Sequence, residues 1–356
     1  MKVLALTKYG SLAASTRQRF LQYRPVLEAA GIDLHCSPLF GNDYLADVLA
    51  GRRASRASIA TAYWRRLKAI AAAGAADVIW LHCEFLPYWP GVAERLAARI
   101  VGKPILFDFD DAIFHMYDAR SGWPARLLLD GKLEPLLRRV DACACGNAYL
   151  RDYAARFCAN SIVVPTVVDT EQYRPASARP AGPVTIGWIG SPSTWPNVRP
   201  LLPLLEELAR TEGIRVRVVG AGRAAQADRF PGLDVVEWSE PSEIAEVQAM
   251  DIGIMPLRDR PFERGKSGYK LIQYMACGLP TVASPVGVNR EIVEDGANGL
   301  LASGIEEWRA ALARLIANPD LRRKFGQAGR AKVEAQYSLA SQAPRLVDVL
   351  RSVGAC

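Results

Sequence analysis

The sequence predicts an α/β protein made of two doubly wound halves, and three observations predict it. A short apolar run, Val3-Leu4-Ala5-Leu6, breaks at Tyr9-Gly10-Ser11 and leads into a helical stretch, which is how a doubly wound domain opens. The same order of strand, glycine turn and helix restarts at residues 184–189, where an apolar run meets Gly190-Ser191-Pro192. Between the two, residues 176–183 (ASARPAGP) are rich in Pro, Ala and Gly and read as a linker. A chain of 356 residues has room for about two domains. The expected division is therefore 1–175, a linker at 176–183, a second domain at 184–337 and a closing helical segment at 338–356.

In the first half, Ser15-Thr16-Arg17-Gln18 has the spacing of a capping box, so a helix is expected from there to Gly31. Arg17 and Arg19 are candidates to face a ligand at the Gly10 turn, against the plainer reading of a solvated basic turn. Residues 33–38 read as the second strand. Residues 58–73 form a helix that gathers Ile59, Tyr63, Leu67 and Ile70 on one face, with Arg65, Arg66 and Lys68 off it. Such a helix either packs on its own domain or lies on an anionic membrane. Residues 77–82 (DVIWLH) and 104–108 (PILFD) are buried-strand runs. The latter ends in Asp108-Phe109-Asp110-Asp111, where three uses stay open: holding a divalent cation, accepting hydrogen bonds or a proton from a substrate, and capping the next helix. His82 and His115 read as structural. Residues 141–145 and 162–165 are further strands, with Gly146-Asn147 opening a helix over 148–158 between them.

In the second half a long helix is expected over 195–210 and a strand over 214–219. The following Gly220-Ala221-Gly222-Arg223-Ala224-Ala225 has dinucleotide-fingerprint spacing. Phe230-Pro231-Gly232 leaves little room for the helix of a βαβ unit, and no acidic residue closes a second strand at the expected distance. A strand at 251–256 leads into 258–302, the stretch around which this half is organised. A helix should begin near Ser267 and run to Cys277, stopped by Gly278 and Pro280, with the strand Thr281-Val282-Ala283 after it. Gly268, Leu271, Ile272 and Met275 should face a core, while Lys266, Lys270, Gln273 and Cys277 fall on another stripe. Two ammonium groups and an amide near the positive end of a helix dipole suit a diphosphate. A solvated lysine stripe is the alternative. Helices over 305–316, 319–335 and 339–352 complete the chain.

The segment YMACGLPTVAS, followed by EIVEDGANGLL, resembles the donor-binding segment of retaining GT-B glycosyltransferases of the family-4 type. CGNAYLRDYA and VVPTVVDTEQYRP are similar to the end of that family's first domain. The likeness extends over most of the chain and is strongest at 163–169 and 253–302. It implies two Rossmann-like domains facing a cleft, with the last helix crossing back to the first. It implies transfer of a sugar from a nucleotide-sugar to a hydroxyl of a glycan or lipid-linked acceptor, with retention, without metal and without a separate cofactor. Donor contacts are implied for Gly10, Arg17, Gly190, Ser191, Lys266, Tyr269, Lys270 and Gln273. Catalytic roles are implied for Lys266 and Lys270, which would stabilise the leaving diphosphate, and for Asp108 and Asp110, which would orient sugar or acceptor. The chain departs from the family at five places, one being Asp108, where relatives usually carry a His facing the donor sugar. Gly265 and Gln273 stand where relatives carry two Glu residues eight positions apart, and Ser191 and Asn197 stand where relatives carry Arg and Lys. Lys266 and Lys270 are expected to supply the missing charge. Asp-x-Asp is also the metal signature of GT-A glycosyltransferases, which the rest of the chain does not resemble.

A formal charge of +7 points to an anionic partner: nucleotide-sugar, anionic glycan or membrane headgroups. Nucleic acid is not expected, since no helix-turn-helix, zinc-finger or RNA-binding aromatic pattern is present. Seven scattered cysteines without a C-x-x-C pair and three histidines argue against a transition-metal site. The longest apolar run, 69–76, is short for a membrane span, and the N-terminus breaks at Lys8, so a cytoplasmic location is expected, with peripheral membrane contact left open. The competing functions are a non-catalytic GT-B binding protein, a nucleotide-sugar epimerase and an NAD-dependent enzyme using Gly220 to Ala225.

Overall fold

The computed structural model describes residues 1–118, 128–177 and 182–355; of the predicted linker, positions 178–181 lie outside these, as does Cys356. The chain forms two compact units. The first comprises Met1–Thr166, Arg260–Ser267 and Gln342–Cys356, and the second Val167–Asp259 and Gly268–Ser341.

The first unit is built on a six-stranded parallel sheet of order β2-β1-β3-β4-β5-β6, with β1 Lys2–Tyr9, β2 Asp33–Phe40, β3 Val78–His82, β4 Ile105–Phe109, β5 Ala142–Cys145 and β6 Ser161–Val163. β3, β4 and β5 are buried at every position, which is why they read as unbroken apolar runs. Cys143 and Cys145 are fully buried in β5. The order reverses between β1 and β3, so the topological switch point lies where Lys8-Tyr9-Gly10 and His82-Cys83-Glu84 leave the sheet.

The second unit repeats the plan with order β12-β11-β10-β7-β8-β9: β7 Thr185–Ile189, β8 Arg215–Val219, β9 Leu233–Val236, β10 Ile252–Met255, β11 Thr281–Ala283 and β12 Gly299–Leu301. Its switch point falls between β7 and β10. These strands pair only at Ile252↔Ile186 and Gly253↔Gly187 and then part. Tyr274 fills the gap: its hydroxyl accepts from Ile189 N–H at 2.9 Å and sits 3.4 Å from the Ile254 carbonyl that it can reach as donor. A Cβ on Gly253 would lie 2.3 Å from the Tyr274 ring, so the glycine makes room for the wedge.

Three helices differ from expectation for local reasons. The first is broken into Ala14–Arg19 and Arg24–Ala29, because Phe20 leaves helical geometry and Pro25 restarts it. Its N-cap is Ala13 without a side-chain cap, and Thr16 instead donates to the Tyr9 carbonyl at 2.9 Å. The expected 195–210 helix begins as two 3-10 turns, Trp195–Asn197 and Arg199–Leu201, and turns α-helical only at Leu202–Glu212. Pro196, Pro200 and Pro203 remove the donors that a continuous start would need. The third, decisive for the site, is Tyr269–Ala276. It starts two residues later than expected because Gly268, at φ 69°, takes a left-handed conformation ahead of it. Asn147 does cap its helix as the sequence suggests, accepting from Leu150 N–H at 3.0 Å.

Candidate active site

In the second unit the site residues collect at the switch point. Gly190 follows β7, and Lys270 reaches across it. A Cβ at position 190 would lie 2.4 Å from the Trp188 ring and 2.9 Å from Lys270 Cε, so only glycine admits the lysine there. The Lys270 ammonium stands 5.7 Å from the centre of the Trp188 ring, a cation–π arrangement that holds it over the Gly190 turn. Ser191 is folded into that turn: its N–H donates to Thr194 Oγ1 at 3.2 Å, and its hydroxyl lies 2.9 Å from that of Ser193. Arg258, without a role in the sequence reading, folds onto the neighbouring turn. Its N–H donates to Asn197 Oδ1 at 3.4 Å and its guanidinium to the Pro196 carbonyl at 3.1 Å.

Gln273 is not on a solvent stripe. It is 2 % exposed, and Leu271 through Cys277 are buried throughout. Its Nε2 donates to Glu243 Oε1 at 2.9 Å and lies 3.3 Å from the Tyr173 hydroxyl. Glu243 also accepts from the Tyr173 hydroxyl and, at 2.6 Å, from Trp238 Nε1. Tyr269 joins the network, with its hydroxyl 3.3 Å from that of Tyr173. Burial first, and then the Glu243 charge, push the Tyr173 phenol well above its ordinary value. A carboxylate thus stands beside Gln273 after all, contributed by a helix thirty residues upstream.

Lys266 does not share a face with Lys270, and this corrects the predicted stripe. It precedes Gly268, outside the helix, and belongs to the first unit. There its ammonium pairs with Asp111 at 3.3 Å and lies 4.9 Å from the Phe262 ring centre, while Asn147 Nδ2 donates to the carbonyls of Gly265 and Lys266, both at 3.0 Å. A Cβ on Gly265 would meet Ala112 Cβ at 2.4 Å.

The carboxylates at the end of β4 divide sharply. Asp108 is fully buried and holds Arg19 in a two-point ion pair, with Nε to Oδ1 and Nη2 to Oδ2 both at 2.8 Å; Trp80 Nε1 adds a contact at 3.2 Å. Arg19 also donates to the Val164 carbonyl at 2.7 Å. Burial alone would lower the Arg19 pKa, but Asp108 outweighs it and holds it up. Both Asp108 oxygens are spent inside the protein, so Asp108 supports the site from behind. Asp110 reaches the surface, and its Oδ1 meets His82 Nε2 at 3.4 Å, with side chains 16 % and 3 % exposed. Burial opposes charge on both. The His82 hydrogen bond and charge hold Asp110 below the carboxylate range, while Cys83 and then the hydrogen bond and charge of Asp110 raise His82 from 6.5 to about 10. Cys83 sits beside them, where burial pushes its thiol up and His82 works against that rise. His82, Cys83 and Asp110 have ligand atoms within 4.8 Å of one another, the spacing of a metal site among the described residues. His82, read from sequence as structural, is therefore the partner that fixes the charge on Asp110.

Gly10 and Arg17 form the first loop. A Cβ at Gly10 would strike Asn42 Oδ1 at 2.3 Å, so glycine is needed for the turn to close on β2. Arg17 is buried and donates to the carbonyls of Ser11 at 3.1 Å and Leu12 at 2.9 Å, bracing the loop.

Residues 183–318 match the family model described as Glycosyl transferases group 1. The chain is 24 % identical over 406 aligned positions, covering all of both chains, to alpha-maltose-1-phosphate synthase of Mycolicibacterium smegmatis. It is 33 % identical over 196 positions to the D-inositol 3-phosphate glycosyltransferase of Segniliparus rotundus, covering 48 % of this chain and 42 % of that one. Sucrose-phosphate synthase from Thermosynechococcus elongatus superposes with a TM-score of 0.75 over 100 % of this chain and 99 % of its own, at 16 % identity. Anabaena HepE in complex with UDP-glucose gives 0.72 over 99 % and 100 %, at 15 % identity. Two parallel six-stranded sheets, each with its switch point, define the class together with these likenesses: the protein is a glycosyltransferase of the GT-B fold. The residues that match the group 1 model lie in its second unit, apart from 260–267, which belong to the first.

Proposed function

We propose that the protein transfers a sugar from a nucleotide-sugar to an acceptor hydroxyl on a glycan or lipid-linked sugar, with retained configuration and without a metal. The observation that carries this is Lys270 lying over Gly190 at the switch point of the second sheet, where open α/β sheets bind their ligands. As the bond between the anomeric carbon and the diphosphate oxygen breaks, negative charge grows on the diphosphate. A fixed ammonium aimed at it lowers that barrier. Trp188 holds Lys270 at that point, so the charge needs little reorganisation when the bond breaks. The network of Gln273, Glu243, Tyr173 and Tyr269 suits the nucleoside end of the donor. In the first unit, Asp110 is the carboxylate available to accept hydrogen bonds from sugar or acceptor hydroxyls. His82 keeps it ionised, and the Arg19–Asp108 pair fixes the strand end behind it. HepE binds UDP-glucose, which makes UDP-sugars the first donors to test.

A thermal-shift screen against UDP-, GDP-, ADP- and dTDP-sugars identifies the donor, since a ligand that binds only the native state raises its melting temperature. With that donor, Lys270→Ala should lower kcat by roughly a hundredfold while leaving the unliganded melting temperature unchanged. Unaltered turnover and donor affinity in Lys270→Ala would defeat the reading. Activity that survives EDTA and a product of unchanged anomeric configuration test the other two parts. Donor conversion that needs no acceptor would favour an epimerase instead.

A further inference from the structure

We propose that the first unit carries a docking surface for an anionic lipid bilayer, centred on the helix Gly91–Val101. This surface goes beyond the transfer reaction and does not depend on it. The helix is apolar on both faces: Ala97, Ala98 and Val101 pack into the core, and a second apolar row points outward. Its inner face carries Glu94, fully buried, whose carboxylate accepts from Phe85 N–H at 2.8 Å, Leu86 N–H at 2.9 Å and Lys132 Nζ at 2.9 Å. Its outer face carries Val92, Leu96 and Ile100, which are 63 %, 56 % and 56 % exposed. These recur every four residues, so they stand in one row within about a quarter turn of the helix. A helix that needs only a solvated outer face places polar residues on it.

The neighbouring helix, Arg56–Ala71, packs against this one. Tyr63 stacks on Trp89 at 6.2 Å, linking the two, and Trp89 and Trp64 remain 45 % and 60 % exposed. Exposed tryptophans on a helix packed against one with an exposed aliphatic row match the boundary between headgroups and acyl chains. The surface therefore lies on a helix the sequence pattern did not single out, and only partly on the basic helix that it did.

Charge selects the occupant. Arg95 and Arg99 flank the apolar row on the same helix. With Arg138 and Arg139 they line a cavity of about 610 Å³, in which four guanidiniums face two carboxylates, Asp130 and Glu134. Glu134 offsets Arg138 only weakly, at 3.9 Å with both groups well exposed. Guanidiniums in a recess beside an apolar row suit phosphate headgroups with acyl chains next to them. A second copy of the chain docked symmetrically on this face would set the arginines of one protomer against those of the other.

The test is co-sedimentation of the full chain with vesicles of phosphatidylglycerol mixed into phosphatidylcholine, and with phosphatidylcholine alone. The wild type should bind the anionic vesicles and bind the zwitterionic ones at least about tenfold more weakly. Leu96→Glu with Ile100→Glu, and separately Arg95→Glu with Arg99→Glu, should each weaken anionic-vesicle binding at least about tenfold. Both pairs are exposed, so melting temperatures should be unchanged, and the donor-induced thermal shift should persist in both. Failure of the wild type to bind anionic vesicles overturns the proposal. So does binding by either variant as tight as wild type, or a wild-type dimer that the leucine–isoleucine change dissociates without altering vesicle binding. None of these results bears on Lys270 and donor turnover, so the two readings fail separately.

Discussion

Replacing Asp108 by Asn separates a supporting carboxylate from one that acts on substrate. Asp108 and Arg19 are 1 % and 2 % exposed as side chains and meet through two contacts of 2.8 Å. Asn keeps the shape and removes the charge, leaving a guanidinium buried without its counter-ion and an amide N–H facing donors. Breaking a buried pair from one side costs about 3–5 kcal/mol. For a unit of this size that corresponds to a fall in melting temperature of roughly 6–20 °C. The Arg19 contact to the Val164 carbonyl survives, so the lower half of the range is the better expectation. Differential scanning calorimetry of Asp108→Asn, Asp110→Asn and wild type reads this directly. Asp110→Asn, at a carboxylate that reaches the surface, should melt much closer to wild type while losing transfer activity. The double change Arg19→Met with Asp108→Leu should recover part of the stability, because no uncompensated charge remains. An Asp108→Asn protein that melts within about 1 °C of wild type yet has lost kcat would refute the argument and give Asp108 a direct role.

Three further outcomes follow from the same geometry. Tyr274→Phe strands the Ile189 N–H at the parting of β7 and β10, and should cost about 1–3 kcal/mol in urea unfolding; an unchanged midpoint would show that Tyr274 does not hold the switch point open. Gln273→Glu brings a second carboxylate to within hydrogen-bonding distance of Glu243, so it should lower the melting temperature at pH 8 and recover part of the loss at pH 5, where one of the pair can take a proton; an equal loss at both pH values argues against the contact. The folded-state pKa of His82 lies above its unfolded value of 6.5, so the stability it adds is fully present below about 6.5 and is lost as pH rises through about 10; the depressed pKa of Asp110 makes its share present above the ordinary carboxylate range and lost in acid. Stability of the wild type should therefore decline between pH 6.5 and 10 more steeply than that of His82→Gln, and parallel profiles would contradict the ion pair.

The plan of the fold was legible because its signals are local. β1 with Gly10 and β7 with Gly190 each announce themselves within ten residues, and buried parallel strands leave unbroken apolar runs. What was not legible depended on a single dihedral or on distance along the chain. Lys266 and Lys270 share a helical stripe only if residues 266–270 are helical, and the left-handed Gly268 cancels that register. Pro196, Pro200 and Pro203 were visible, and their effect on the start of the 195–210 helix follows from missing donors alone. The outward row on Gly91–Val101 escapes a periodicity argument for another reason. Periodicity finds an apolar face but assumes that it points inward, and here apolar side chains lie on both faces, Ala97, Ala98 and Val101 inward and Val92, Leu96 and Ile100 outward.

The two departures from the family's paired glutamates have separate physical causes. At position 265 the backbone is pressed against Ala112, where even a Cβ would stand 2.4 Å from the alanine methyl, so a glutamate there requires the loop to move. At position 273 the amide faces inward onto Glu243, which already accepts from Tyr173 and Trp238. A glutamate at 273 would oppose that carboxylate, whereas glutamine donates to it. The negative charge in this corner of the second unit is thus supplied by residue 243 and is held by donors from three separate segments. A sequence comparison confined to the 265–273 stretch would read the site as having lost its acid.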